Sequence, residues 1–122
     1  MAKVLVVDDE VNVRNVFKRS LEKQHHEVYL AEDGQQCEEL FIKHKPDVII
    51  LDILMPQQEG IETILNLKAI DQKVKIIAIS GGGMGSADYY LDNALKLGAT
   101  FATEKPVVLS DLNNKVDKLL SM

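Results

Sequence analysis

The sequence predicts an α/β fold in which five parallel strands form a sheet covered by helices on both faces, and three observations carry that prediction. Short aliphatic runs such as residues 4–7 and 48–51 are rich in β-branched residues and show no polar alternation, as strands buried on both faces do. Longer segments between them repeat their apolar residues at helical spacing. The two kinds of segment alternate along the whole chain, which is the pattern of βα units with crossover helices.

The first run, VLVVDDE at residues 4–10, is a strand that ends in three consecutive carboxylates. EVNVRNVFKRSLEKQ follows as an amphipathic helix, with Val13, Val16, Phe17 and Leu21 on one face and Arg14, Lys18, Arg19 and Glu22 opposite. EVYLA is a second strand, and DGQQCEELFIKH a second helix that stops before Pro46. DVIILD is a third strand that also ends in a carboxylate, and residues 58–70 form a third helix. VKIIAIS is a fourth strand, and SADYYLDNALKLG a fourth helix closed by Gly98. ATFATE is the fifth strand. SDLNNKVDKLLSM is the fifth helix, with Ser110 as its N-cap and Leu112, Val116 and Leu119 as its apolar stripe.

At 122 residues the chain reads as one domain, residues 1–122, with no room for a second, output domain. The excess of 19 acidic over 14 basic residues argues against nucleic acid as a partner, because phosphate binding needs a concentrated positive patch, and makes a cation the natural guest. No apolar run approaches the roughly 20 residues needed to span a bilayer. No signal segment precedes the first strand, so the expected location is the cytoplasm. The single Cys37 rules out an internal disulfide and falls on the apolar face of the second helix, where it reads as a packing residue. His25, His26 and His44 have no Cys or second His at ligand spacing and read as solvated histidines.

In an open parallel sheet, ligands bind beyond the carboxyl ends of the strands. Asp8 and Asp9 end the first run, Asp52 the third, Ser80 the fourth and Lys105 the fifth, so residues spread over most of the sequence are predicted to meet on one edge. Crowded carboxylates repel one another unless they share a cation, and an oxygen-only set of this kind suits Mg²⁺, with Asp9 and Asp52 as the expected direct ligands. Carboxylates beside a lysine and a hydroxyl are equipment for phosphoryl transfer, in which a carboxylate can itself be the nucleophile.

These residues resemble the receiver domain of two-component response regulators, from VLVVDDE through VIILDILMP, Gly60 and IIAIS to EKP. The resemblance implies a flavodoxin-like, doubly wound sheet of order 2-1-3-4-5. It implies a module that takes a phosphoryl group from a histidine kinase or histidine phosphotransfer protein, switches binding to a downstream protein, and catalyses its own aspartyl phosphorylation and dephosphorylation. By that resemblance Asp52 is the phospho-acceptor, Asp8 and Asp9 hold Mg²⁺ with the Leu54 carbonyl as a further ligand, Ser80 is the switch hydroxyl and Lys105 its charge partner. The Lys105-Pro106 peptide is expected to be cis. Met55 and Pro56 read as a turn and Gly60 as a position whose backbone conformation other residues resist; the resemblance makes Arg14, Lys18 and Arg19 a candidate docking surface for the kinase, while individually they read as a solvated helix face.

Two departures from the resemblance stand out. Ala102 occupies the position of the usual strand-five aromatic, with Phe101 one step earlier and on the opposite face. The segment SGGGMGSAD is glycine-rich and longer than usual, which predicts a switch signalled by ordering of residues 81–86 and movement of the fourth helix. The alternative weighed is a metal-dependent phosphatase with an aspartate nucleophile. That chemistry wants a second Asp two residues on, where this chain has Leu54. A flavin or nucleotide binder on the same fold is disfavoured because the DDE segment repels a ligand phosphate. The glycine run lacks the ending of a phosphate-binding P-loop.

Overall fold

The computed structural model describes residues 2–54, 59–81 and 87–122. The elements run β1 (Lys3–Val7), α1 (Val11–Lys23), β2 (Glu27–Ala31), α2 (Gly34–His44), β3 (Val48–Asp52), α3 (Glu59–Ile70), β4 (Ile76–Ser80), α4 (Ala87–Leu97), β5 (Phe101–Glu104) and α5 (Leu109–Leu120). All strand pairs are parallel, in the order β2-β1-β3-β4-β5. The strand order therefore reverses between β1 and β3, which opens a crevice there.

Alternate residues of the strands feed two cores, one on each face of the sheet. Leu5, Val7, Ile49, Leu51, Ile76 and Ala78 face α2, α3 and α4 and pack with Cys37, Phe41, Ile64, Leu67 and Ala94. Val4, Val6, Val48, Ile50, Ile77 and Ile79 face the other way and pack with Phe17 and Leu21 of α1 and with Leu112, Val116 and Leu119 of α5. Phe101 joins this second core and Ala102 the first, so the strand-five aromatic does point away from α4. Among the described residues no helix is long and apolar enough to cross a membrane.

Local chemistry sets several boundaries. Asp33 caps α2 by accepting the Gln36 N–H, and Lys45 closes that helix in the left-handed region, φ 50°, before Pro46. Gly98 ends α4 at φ 126°, a conformation that a side chain resists. Cys37 is buried, and burial, with Glu38 and Asp33 nearby, pushes its thiol up to about 12, as befits an inert packing residue.

The structure corrects other expectations. Ser110 is not a cap: the N-cap is Val108, two residues earlier, because Leu109 packs into the α1/α5 core and tertiary burial outweighs a capping hydrogen bond. Val16 is 47% exposed and lies outside the core, at the edge of the α1 stripe. Gly60 sits within helix α3 and owes its identity to close approach. A Cβ there would lie 2.2 Å from the Ile53 Cα, inside backbone atoms that cannot yield. The histidines are not simply solvated, since His44 stacks on Tyr29 at 4.1 Å and the Nδ1 of His26 is buried. Residue 58 as a helix start, the Met55 and Pro56 turn and residues 82–86 of the glycine-rich segment lie outside the described residues.

Candidate functional site

Strand register assembles the site. Val7 is level with Leu51, so Asp8 and Asp52 follow the same rung of neighbouring strands. Asp52 is level with Ile79, and Ser80 with Glu104, so Lys105 leaves β5 just past Ser80. The sheet edge is continued by main-chain bonds from Asp8 N to Ala31 O, Ile53 N to Ile79 O and Lys105 N to Ser80 O, at 3.1, 2.9 and 2.9 Å. Each functional side chain thus leaves from a fixed piece of backbone.

The Lys105 ammonium bridges two carboxylates: Nζ donates to Asp8 Oδ2 at 2.9 Å and to Asp52 Oδ2 at 3.3 Å. The remaining oxygens take main-chain donors, Asp8 Oδ1 from Glu10 N and Asp52 Oδ1 from Leu54 N, both at 2.9 Å. Both carboxylates are held in one orientation by two donors each. Asp8 is 1% exposed and Asp52 3%, whereas Asp9 and Glu10 are exposed. Carboxylate oxygens of Asp8, Asp9 and Glu10 lie within 4.8 Å of one another. Asp52 is outside that group and is tied to it through Lys105.

The energetics follow from burial. Desolvation raises the Asp52 carboxyl above its ordinary value, the Leu54 N–H works against this, the Asp8 charge adds to it, and Lys105 again opposes it. For Lys105, burial acts to lower the pKa, but the hydrogen bond to Asp8 and the charges of Asp52 and Asp8 outweigh it and hold the ammonium above its ordinary value. Ser80 is fully buried, and its Oγ has no hydrogen-bond partner among the described residues. An orphaned hydroxyl costs about 1–3 kcal/mol, so it calls for a reason.

Sequence reasoning missed two parts of this arrangement. Arg14, read as a solvated docking residue, turns inward instead, and its Nη1 donates to the Asp8 carbonyl at 2.7 Å. Its spacing from Asp8, a little over a helical turn into α1, is the signal that could have found it. Lys18 pairs with Glu22 at 3.8 Å on the exposed face. Gly81 is the second: it lies against the Lys105 stem, where a Cβ would make an ordinary van der Waals contact at 3.4 Å. The Lys105-Pro106 peptide is cis, as the resemblance implies.

Beside this pocket runs an apolar groove of about 560 Å³, lined by Val13, Val16, Phe17, Pro106 and Val107 and ending at Gly81 and Lys105. The exposed Val16 belongs to its wall, and Val11 and Val108 are exposed close by in sequence.

Comparison with known proteins gives a consistent picture. Residues 4–117 match the response regulator receiver domain family. The chain is 28% identical over 120 residues to sporulation initiation phosphotransferase F of Bacillus subtilis, covering 98% of this chain and 94% of that protein. It is 33% identical to the chemotaxis protein CheY of the same organism, covering 98% of each. Among solved structures, a response regulator receiver domain protein from Clostridium thermocellum superposes with a TM-score of 0.90 at 29% identity, covering 99% of this chain and 95% of that one.

Proposed function

Because the chain belongs to the response regulator receiver domain family, the phosphorylation-controlled signalling module of two-component systems, we propose that it accepts a phosphoryl group on Asp52 from a histidine kinase or a histidine phosphotransfer protein. The observation that carries this reading is the buried Asp52 carboxylate, fixed by the Leu54 N–H and Lys105 at the switch point of the sheet. Orientation of the nucleophile is most of what phosphoryl transfer asks of a protein.

In the reaction a carboxylate oxygen of Asp52 forms a bond to phosphorus while the bond from phosphorus to the donor imidazole nitrogen breaks. The electron pair stays with the imidazole, and the product is an acyl phosphate. Lys105, already between Asp8 and Asp52, follows the negative charge onto the phosphoryl oxygens. The Ser80 hydroxyl gains the acceptor it lacks when a phosphoryl oxygen reaches it, which supplies the reason for its isolation.

The donor set suits a hard divalent ion, because the ligand atoms are all oxygen and the buried carboxylates of Asp8 and Asp52 share the single Lys105 ammonium while Asp9 and Glu10 stand exposed beside them. Asp8, Asp9 and Asp52, with the Leu54 carbonyl, would hold Mg²⁺, whose chemistry there is to offset charge on the transferring phosphoryl group. The apolar groove between α1 and Pro106 opens toward Lys105 and fits an apolar helix ridge of the donor protein, which must bring its histidine to Asp52.

The test is incubation with acetyl phosphate and Mg²⁺ followed by intact mass measurement. The wild-type protein gains one phosphoryl group, whereas Asp52→Asn and the wild type in excess chelator gain none. Labelling of Asp52→Asn at the wild-type rate would overturn the assignment.

A further inference from the structure

Where the main chain leaves Asp52 it forms one wall of a second cleft. Ile53 and Leu54 face Ile61 of α3 and Tyr90, Asn93 and Leu97 of α4 across a space of about 340 Å³. Leu54 is directly coupled to the site, because its N–H is bonded to Asp52 Oδ1 at 2.9 Å. Ile53 is buried, and its N–H is bonded to Ile79 O. The opposite wall carries a pair of rings. Tyr90 is half-buried and packs on the same core as Ile53, Ala78 and Ala102. Tyr89 is 64% exposed and meets Tyr90 edge to face, with centroids 5.5 Å apart at 87°. To the core on this face of the sheet β5 contributes Ala102 and no ring, since Phe101 packs on the other face.

From this arrangement we infer that Tyr90 reads the state of Asp52 through Ile53 and Leu54 and passes it to the surface through Tyr89. The inference rests on phosphorylation of Asp52 as set out above. Converting Asp52 to its acyl phosphate changes the charge and the acceptor strength of the group that the Leu54 N–H holds, so the Leu54 main chain has a different best position in the two states. A displacement there changes the shape of the cleft wall. The Tyr90 ring is large and rigid and borders open volume, so it responds by turning about its side-chain torsions and not by compression of the core. Its edge contact with Tyr89 converts that rotation into a change on the exposed face of α4. The signal thereby uses a ring on a helix, on the side of the sheet where β5 has none.

The chain has three tyrosines, and the third, Tyr29 of β2 at the far edge of the sheet, is stacked on His44 of α2 and serves as an internal control. The experiment is NMR of protein carrying ¹³C-labelled tyrosine, with Mg²⁺, before and after beryllofluoride is added to mimic the phosphoryl group, with backbone amides followed in parallel. The expected result is movement of the Tyr90 ring signals, followed by those of Tyr89, while Tyr29 stays in place. Tyr90→Leu is expected to incorporate phosphate from acetyl phosphate at the wild-type rate yet lose the shifts of the α4 amides, and Tyr90→Phe to restore them. Unmoved Tyr90 signals while the amides of Ile53 and Leu54 shift would overturn the inference and leave Asp52 phosphorylation standing, as would an undiminished α4 response in Tyr90→Leu. Absence of phosphate incorporation by the wild type would overturn the function first and this relay with it.

Discussion

Of the three side chains that hold a buried polar atom unpartnered among the described residues, Ser80, His26 and Asn113, the first two invite different explanations, and the difference lies in what surrounds each. Ser80 stands at the end of β4 beside the Asp52–Lys105 pair, so phosphorylation of Asp52 as proposed above would bring its Oγ an acceptor. His26 lies between α1 and β2, far from that chemistry in the sequence and at the opposite end of its strand. Burial lowers its pKa below 6.5, the Asp117 carboxylate opposes this, and the N-terminal amine and His25 lower it further. The folded protein therefore resists protonating His26, while the unfolded chain protonates it at its ordinary value. Stability is present above that value and is lost as the pH falls through 6.5 toward the depressed folded pKa. Urea unfolding between about pH 7.5 and about pH 5.5 is expected to show the free energy of unfolding falling, with a shallower fall in His26→Gln. Identical slopes in the two proteins would show that other groups carry the dependence.

At the scale of elements, the tightest fit is between α3 and the end of β3. Gly60 approaches Ile53 so closely that a Cβ would overlap its Cα, carbonyl carbon and oxygen, all backbone atoms. Gly60→Ala must therefore push α3 off the sheet, at a cost of about 1–3 kcal/mol. Ile53 follows Asp52 directly, so the same substitution is expected to slow phosphate incorporation as well. Denaturant unfolding and intact mass on the one variant check both effects, and a wild-type midpoint would mean that the helix accommodates the methyl group. The need for this glycine is visible in the sequence, but its cause is not, because the clash is with a residue on another element. The same division runs through the molecule. Strands and helices were legible because buried parallel strands are uniformly apolar and their covering helices amphipathic, and the Glu27–Ala31 strand agrees to the residue. The five side chains at strand ends were legible because parallel topology alone brings such ends together. Ser110 as a cap failed because Leu109 packs against a distant helix, Val16 as core because the apolar stripe of α1 is wider than the face the sheet covers, and Arg14 as a solvated residue because its guanidinium folds back onto the Asp8 carbonyl. Tyr90 beside Leu54 carried no sequence signal at all.

For the molecule as a whole, the site sits where its parts are joined. Asp8 leaves β1, Asp52 leaves β3 and Lys105 leaves β5, and the two cores on either face of the sheet share these strands. Anything that binds the folded arrangement of these side chains and not the unfolded chain must stabilise the entire fold. A divalent ion held by Asp8, Asp9 and Asp52 as proposed above would draw its ligands from the ends of two strands, and would therefore bind the folded state far more tightly than the unfolded chain. Linkage then predicts a gain of about 2.7 kcal/mol when free Mg²⁺ reaches a hundredfold excess over its Kd. A gain of that size corresponds to a rise in Tm of roughly 4 °C for each kcal/mol in a domain of this length. Asp9 gives the cleanest control, because it is exposed and its substitution leaves the buried Asp8–Lys105–Asp52 bridge intact. Asp9→Asn is expected to melt at the wild-type temperature in chelator and to gain much less from Mg²⁺, in thermal unfolding followed by far-ultraviolet circular dichroism. An equal Mg²⁺ shift in the two proteins would place the ion elsewhere. A lower Tm in chelator would instead make Asp9 part of the fold's own support and remove it from the metal site.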